Sequence, residues 1–294
     1  MSAQLPVDVA EFYRTQSTVT DPGEAGRAFL GGLPSDPGAL ARVVRGLIIH
    51  RLEADRFDYR PPEERLHHDA ETRYVDDMLR IIRERRDAPL TERREPDERL
   101  VGTCRDFVVL HVALLREAGI PARARAGTCT YFSPHHWVTE YWDTARGWTL
   151  VDPELTFAAG EETHGFPFDP YDVPRSDFLP GGTGWRRARG HDAEQPDSPN
   201  WPVLVSDVLL DLATLNKVEM LPWDSWGASD LLENGEPAAG ELRLLDSVAA
   251  VTGLPGPPLA ELRRIFTSDD RLRVPAAVTS YTTHLGVRKV TLRR

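Results

Sequence analysis

Cysteine is nearly absent from this chain of 294 residues: Cys104 and Cys129 are the only two. Two thiols cannot build a disulfide framework, which excludes a small stapled domain and points to reduced thiols in the cytoplasm. Long apolar runs are missing as well. None approaches the ~20 residues that span a bilayer, and MSAQLPVDVAEFYRTQ at the start lacks a basic region followed by an apolar core. Neither a membrane-embedded segment nor a signal peptide is expected. Basic charge is in deficit, with 35 Lys and Arg against 46 Asp and Glu, a net charge of −11 spread along the chain. A nucleic-acid groove needs a basic stripe, so that class of partner is not expected. The one arginine-dense stretch, IIRERRDAPLTERREPDERL, is interleaved with acids and reads as a solvated helix face and loop. There is no internal repeat.

What is present describes an ordinary globular protein, 40% hydrophobic and 28% charged. Leu40, Val43, Val44, Leu47 and Ile48 fall on one helical face after Asp36, and residues 69–86 repeat that pattern with Tyr74, Met78, Leu79, Ile81 and Ile82. A third helix runs through Phe107, Leu110, Leu114 and Leu115 to the stop at Gly119 and Pro121. The period then changes to two. ARARAGTCTYF, HWVTEYW and GWTLVDPEL alternate and are rich in aromatic and β-branched residues, the pattern of antiparallel strands, with a turn at residues 145–147. Residues 160–200 are dense in Gly, Pro, Asp and Trp and read as a long loop excursion. Helices resume from 201, and the tail VTSYTTHLGVRKVTLRR either adds a strand or stays loose. The expected organisation is a helical part over 1–95, a core over 96–160, and a loop-rich and helical part over 161–294 packed on that core as one unit.

Three polar residues carry the candidate chemistry. Cys104 opens the third helix, where partial positive charge and N–H groups favour a thiolate. His136 and Asp152 lie on consecutive strands sixteen residues apart, joined by a tight turn. A thiol, an imidazole and a carboxylate in that order supply a nucleophile, its base and the group that orients the base.

With those residues in place, the stretch 102–155 resembles the core of the transglutaminase-like superfamily, cysteine enzymes related in architecture to papain. The pattern consists of Gly102 with Cys104, then ALLREAGIPAR from Ala113 to Arg123, His136 with Glu140, and Gly147, Trp148, Asp152 and Pro153. The resemblance implies an α+β fold, with the nucleophile helix packed on an antiparallel sheet and extra helices at both ends. It implies Cys104 as nucleophile, His136 as base and Asp152 as orienting group. CRDF and the distal LNKVEMLPWDSWG look like a bacterial branch of that superfamily, in which an acidic residue often precedes the catalytic histidine; here it is His135. His135 therefore stays a rival to His136.

The implied activity is acyl transfer through a cysteinyl thioester, resolved by water or by an amine. The substrate is a peptide, protein or small-molecule amide. No metal or organic cofactor is called for, and no D-x-[DN]-x-[DN]-G calcium loop occurs. The competing reading is a catalytically silent binding or scaffold module that keeps the fold. Composition leaves the oligomeric state open. Other readings are plainer. Cys129 is a packed strand thiol, His67, His68 and His164 are surface residues, and Arg105 and Asp106 pair locally in the first helical turn. Glu140 either touches the site or caps a strand face. Asn216, Lys217, Glu219, Trp223, Asp224 and Trp226 either line a pocket or, the favoured reading, tie the C-terminal helices to the core.

Overall fold

The computed structural model describes residues 4–132, 135–157, 165–190, 200–231, 236–282 and 284–293. In chain order the elements are α1 (Val7–Arg14), α2 (Gly23–Arg27), α3 (Pro37–Leu47), β1 (Ile48–His50), α4 (Glu63–His68), α5 (Val75–Arg85), β2 (Leu100–Gly102), α6 (Cys104–Glu117), β3 (Ala122–Cys129), β4 (His135–Asp143) and β5 (Gly147–Val151). There follow β6 (Phe178–Pro180), α7 (Gly181–Ala188), α8 (Trp201–Leu215), β7 (Asp224–Ser225), α9 (Ala239–Thr252), α10 (Leu259–Ser268), β8 (Ala277–Thr282) and β9 (Gly286–Thr291). The fold is α+β, as the resemblance implies. Its sheets are a β1–β2 ribbon, four strands in the order β5-β4-β3-β6, and three in the order β7-β8-β9. No helix among the described residues is long and apolar enough to cross a membrane.

The backbone divides into two compact units, Met1–Arg123 with Val138–Val173, and Ala124–Trp137 with Pro174–Arg294. In the first, α6 is the central element: every residue from Arg105 to Arg116 is buried. A helix buried all round needs partners on every side, and α1, α3, α5, β1 and β2 supply them. The helical reading of Ile48 is corrected. Asp36 caps α3 by accepting the Ala39 N–H, but the helix ends at Leu47 and β-branched Ile48 and Ile49 enter a strand parallel to β2, Ile48 opposite Leu100 and His50 opposite Gly102. That ribbon delivers the chain directly to Cys104.

The arginine-dense stretch is likewise only partly solvated. Arg83 and Arg93 are exposed as expected, whereas Arg94 is fully buried and donates to the carbonyls of Arg86 and Ala88 at 3.0 Å. Arg99, also buried, donates to the Arg94 carbonyl. A guanidinium carries five donors, enough to satisfy loop carbonyls that have no ladder partner.

The β4–β5 hairpin pairs Thr139 with Val151 and Asp143 with Gly147. Asp143 accepts the N–H groups of Ala145 and Arg146, and Gly147 takes φ +84°, open to glycine at little cost. On this hairpin Glu140 receives the Arg123 Nε–H at 2.7 Å, both side chains sealed from solvent. The guanidinium lies 3.9 Å from the Trp148 ring centroid and 5.1 Å from that of Tyr13. Glu140 is thus a structural residue, and three of the motif residues meet in one cluster, Arg123 and Glu140 buried and Trp148 half-buried.

In the second unit β6 pairs with β3, Gly127 opposite Pro180 and Cys129 opposite Phe178. The loop expected over 160–200 therefore contains β6 and α7 within residues 165–190. Short glycine-rich runs such as GGTGW hide from propensity, and packing of α7 on α8 and α9 stabilises the helix. Arg125 forks onto both oxygens of Asp211 at 2.8 and 2.9 Å and reaches the Thr252 carbonyl at 3.2 Å, joining β3, α8 and α9. Residues 216–226 serve the same unit. Asp224 accepts the Leu221 N–H, and the buried Trp226 donates to the Leu272 carbonyl. The tail forms a hairpin, β8 with β9.

Removing one member of a buried ion pair strands the other charge, at a cost of about 3–5 kcal/mol, while replacing both with hydrocarbon costs far less. Glu140→Ala is therefore expected to lower the urea midpoint sharply. The double variant Arg123→Leu, Glu140→Leu recovers most of the loss. Equal midpoints for wild type and Glu140→Ala would refute the account.

Candidate active site

Cys104 is the first residue of α6, preceded by the N-cap Thr103. From Leu100 to Arg116 it is the only side chain that is not buried. Its turn is held by Asp106, whose Oδ2 accepts the Thr103 N–H at 2.8 Å and the Thr103 hydroxyl at 3.1 Å. That is the carboxylate half of a capping box. Arg105, with no exposed surface, donates to Asp106 Oδ1 at 3.1 Å and to the carbonyls of Thr72 and Arg73 at 3.3 and 2.6 Å. The expected local pair is present, and it also anchors the turn to the segment before α5. Burial pushes the Asp106 carboxyl above the usual carboxylate range, with the Arg105 charge and the two Thr103 donors pulling it back. Gly102 is required here by space. A Cβ would meet Asp106 Oδ2 at 2.9 Å and Ile48 Cγ2 at 3.1 Å.

Asp152 follows β5 and is fully buried. Its N–H donates to the Pro170 carbonyl at 2.9 Å, and its Oδ1 accepts the Glu154 N–H at 3.1 Å, a local turn that fixes the carboxylate. Cys104 and Asp152 belong to the first unit and His136 to the second. His136 is 3% exposed. The rings of Tyr131 and Phe132 stand edge-on to its imidazole, with centroids 5.6 and 5.3 Å away.

The rival histidine is engaged elsewhere. His135 Nδ1 hydrogen-bonds Asp207 Oδ1 on α8, and its Nε2 accepts the Trp137 Nε1–H at 3.4 Å. Of the plainer expectations, Cys129 is buried in β3, His68 is exposed and His67 half-buried; His164 lies outside the described residues. A cavity of about 490 Å³ between α2 and α5, walled by Phe29, Leu79, Arg80 and Arg83, contains none of these residues.

Two polar residues escaped the sequence reading. Asp207 sits far along the chain in a helix of ordinary pattern, so nothing local marks it. His111 does leave a trace, a lone imidazole within the apolar run FVVLHVALL. It lies two turns after Cys104 and is completely buried. Its Nδ1 meets Thr139 Oγ1 and its Nε2 meets the Pro37 carbonyl, each at 3.1 Å. A neutral ring fits that arrangement, with Nε2–H donating to the carbonyl and Nδ1 accepting from the hydroxyl. His111 thereby joins α6 to β4 and to the start of α3.

Residues 61–153 match the family model of the Transglutaminase-like superfamily. That span includes every residue of the motif pattern. A search of curated proteins finds no match. Among solved structures, a proposed cysteine protease from Cytophaga hutchinsonii is 15% identical, covering 52% of this chain and 44% of its own, with a TM-score of 0.34. Red sea bream transglutaminase is 14% identical, covering 93% of this chain and 42% of its own, with a TM-score of 0.31. This chain thus matches less than half the length of either.

Burial lowers the His111 pKa to about 4 from an ordinary 6.5, against the pull of the Pro37 carbonyl. The unfolded chain then binds more protons at this residue between those two values. Stability is expected to fall as pH drops from about 6.5 to about 4, by roughly 3 kcal/mol from this group, and to change no further below that. Denaturation midpoints across pH for wild type and His111→Gln check this. The variant should have the flatter slope in that window whatever its absolute stability, and parallel curves would contradict the assignment.

Proposed function

We propose that this chain is a cysteine-dependent acyl-transfer enzyme, with Cys104 as nucleophile, His136 as base and Asp152 as the carboxylate that orients the imidazole. One observation carries the reading. A single thiol reaches solvent at the start of a helix that is otherwise buried, and a carboxylate cap and an anchored arginine hold its turn still. An inert core cysteine needs none of this. The assignment of His136 draws on two further points. His135 already has both ring nitrogens engaged. Thr139 and Val151 form the last pair of the β4–β5 ladder away from its turn, and from that pair the chain runs back to His136 along one strand and on to Asp152 along the other.

In this reading His136 takes the thiol proton as sulfur attacks an amide carbonyl, with the helix N-terminus favouring the thiolate. The tetrahedral oxyanion is met by N–H groups at the start of α6, including that of Cys104. His136 returns the proton to the departing amine, leaving a thioester. Water, or an amine, then adds to the thioester carbonyl and gives up its proton to His136. Sulfur leaves as thiolate and recovers a proton from the imidazolium. Hydrolysis of a peptide or small amide in the cytoplasm is the first choice, with transfer to an amine second.

Iodoacetamide labelling of the full chain across pH, read by peptide mass spectrometry, tests this directly. Cys104 should be alkylated rapidly well below pH 8, where a free thiol near pKa ~8.5 reacts slowly. His136→Ala should abolish that low-pH reactivity, and buried Cys129 serves as the internal control. Sluggish labelling with the profile of a free thiol would favour a silent binding module instead. Amide substrates can then be screened by mass-spectrometric capture of the thioester.

A further inference from the structure

Two histidines stand side by side on β4, and adjacent strand residues face opposite sides. His136 turns its ring to Tyr131 and Phe132. His135 turns toward α8, where Asp207, only 1% exposed, takes its Nδ1. The other oxygen of Asp207 accepts the Thr128 hydroxyl of β3 at 3.2 Å. Trp137, fully buried and on the same face as His135, donates to its Nε2. One buried carboxylate therefore ties the first residue of β4 and the penultimate residue of β3 to a single helix. Hydrocarbon of similar size would fill this space without the cost of burying a charge. A connected polar network instead admits one arrangement of its members, because each departure leaves a buried group unsatisfied.

We propose that Asp207 is a positioning residue for the base: by clamping His135 it fixes the end of β4 and hence the ring of His136. The proposal rests on His136 serving Cys104, as in the preceding section. His135 contributes a hydrogen-bond donor to the clamp and takes no part in proton transfer.

The test is the pH profile of Cys104 alkylation in full-length variants, alongside circular dichroism and thermal unfolding. Loss of the clamp by His135→Ala or Asp207→Ala should slow labelling at pH 6 by about 10-fold or more, the lower end of the loss seen when the hydrogen-bond partner of a metal-binding imidazole is removed. His135→Asn places an amide N–H close to where Nδ1–H lay and should keep the rate within about threefold of wild type. Asp207→Asn retains an acceptor and should behave likewise. If Asp207→Ala fails to fold, the comparison of His135→Asn with His135→Ala still decides the matter. Wild-type profiles in both His135 variants would overturn the clamp while leaving the thiolate reading intact. A dead His135→Asn beside an active His136→Ala would also overturn it, making His135 the base. Wild-type Cys104 that behaves as a free thiol would sink the enzyme reading first, and the clamp with it.

Discussion

The first turn of α6 is pinned by a carboxylate that water cannot reach. Asp106 accepts from the backbone and hydroxyl of Thr103 and from Arg105, and Arg105 reaches on to the carbonyls of Thr72 and Arg73. Any displacement of this turn breaks several buried hydrogen bonds together, and each unsatisfied group costs more than the bond itself contributes. Cys104 therefore projects from a rigid position. The short β1–β2 ribbon and the missing side chain of Gly102 belong to the same constraint, since they bring the chain close enough for the cap to form.

A second lesson concerns what a sequence motif encodes. Arg123 of the helix-end motif, Glu140 of the histidine strand and Trp148 of the following strand meet in one cluster, with Tyr13 closing it. These contacts hold the β4–β5 hairpin to Arg123, the second residue of β3. Of the motif's polar residues, Cys104, His136 and Asp152 are the ones proposed for chemistry. The cluster is stiff because guanidinium is planar, pairs with a carboxylate and stacks on indole at the same time.

The second unit uses carboxylates of α8 in a similar way. Asp207 and Asp211 stand one helical turn apart on that helix, and both are buried. Asp211 takes Arg125 on β3, while Asp207 takes Thr128 on β3 and His135 on β4. Spacing of four residues puts both on one face, so a single helix edge sets the two strands leading to His136.

Local pattern alone determined the central helix after Cys104, the two-residue period of the strands that follow, the tight turn at residues 145–147 and the order of the thiol, imidazole and carboxylate. Each is a matter of periodicity or of turn chemistry within a dozen residues, where the chain constrains itself. Tertiary structure decided the rest. Ile48 left its helix because β2, 52 residues on, offered a ladder partner. Arg94 and Arg99 went inside because loop carbonyls lacked donors. Glu140 became structural because Arg123 reached it, and His135 was claimed by Asp207 from 72 residues away. Such outcomes depend on which buried groups find partners across the fold, and no periodicity records that.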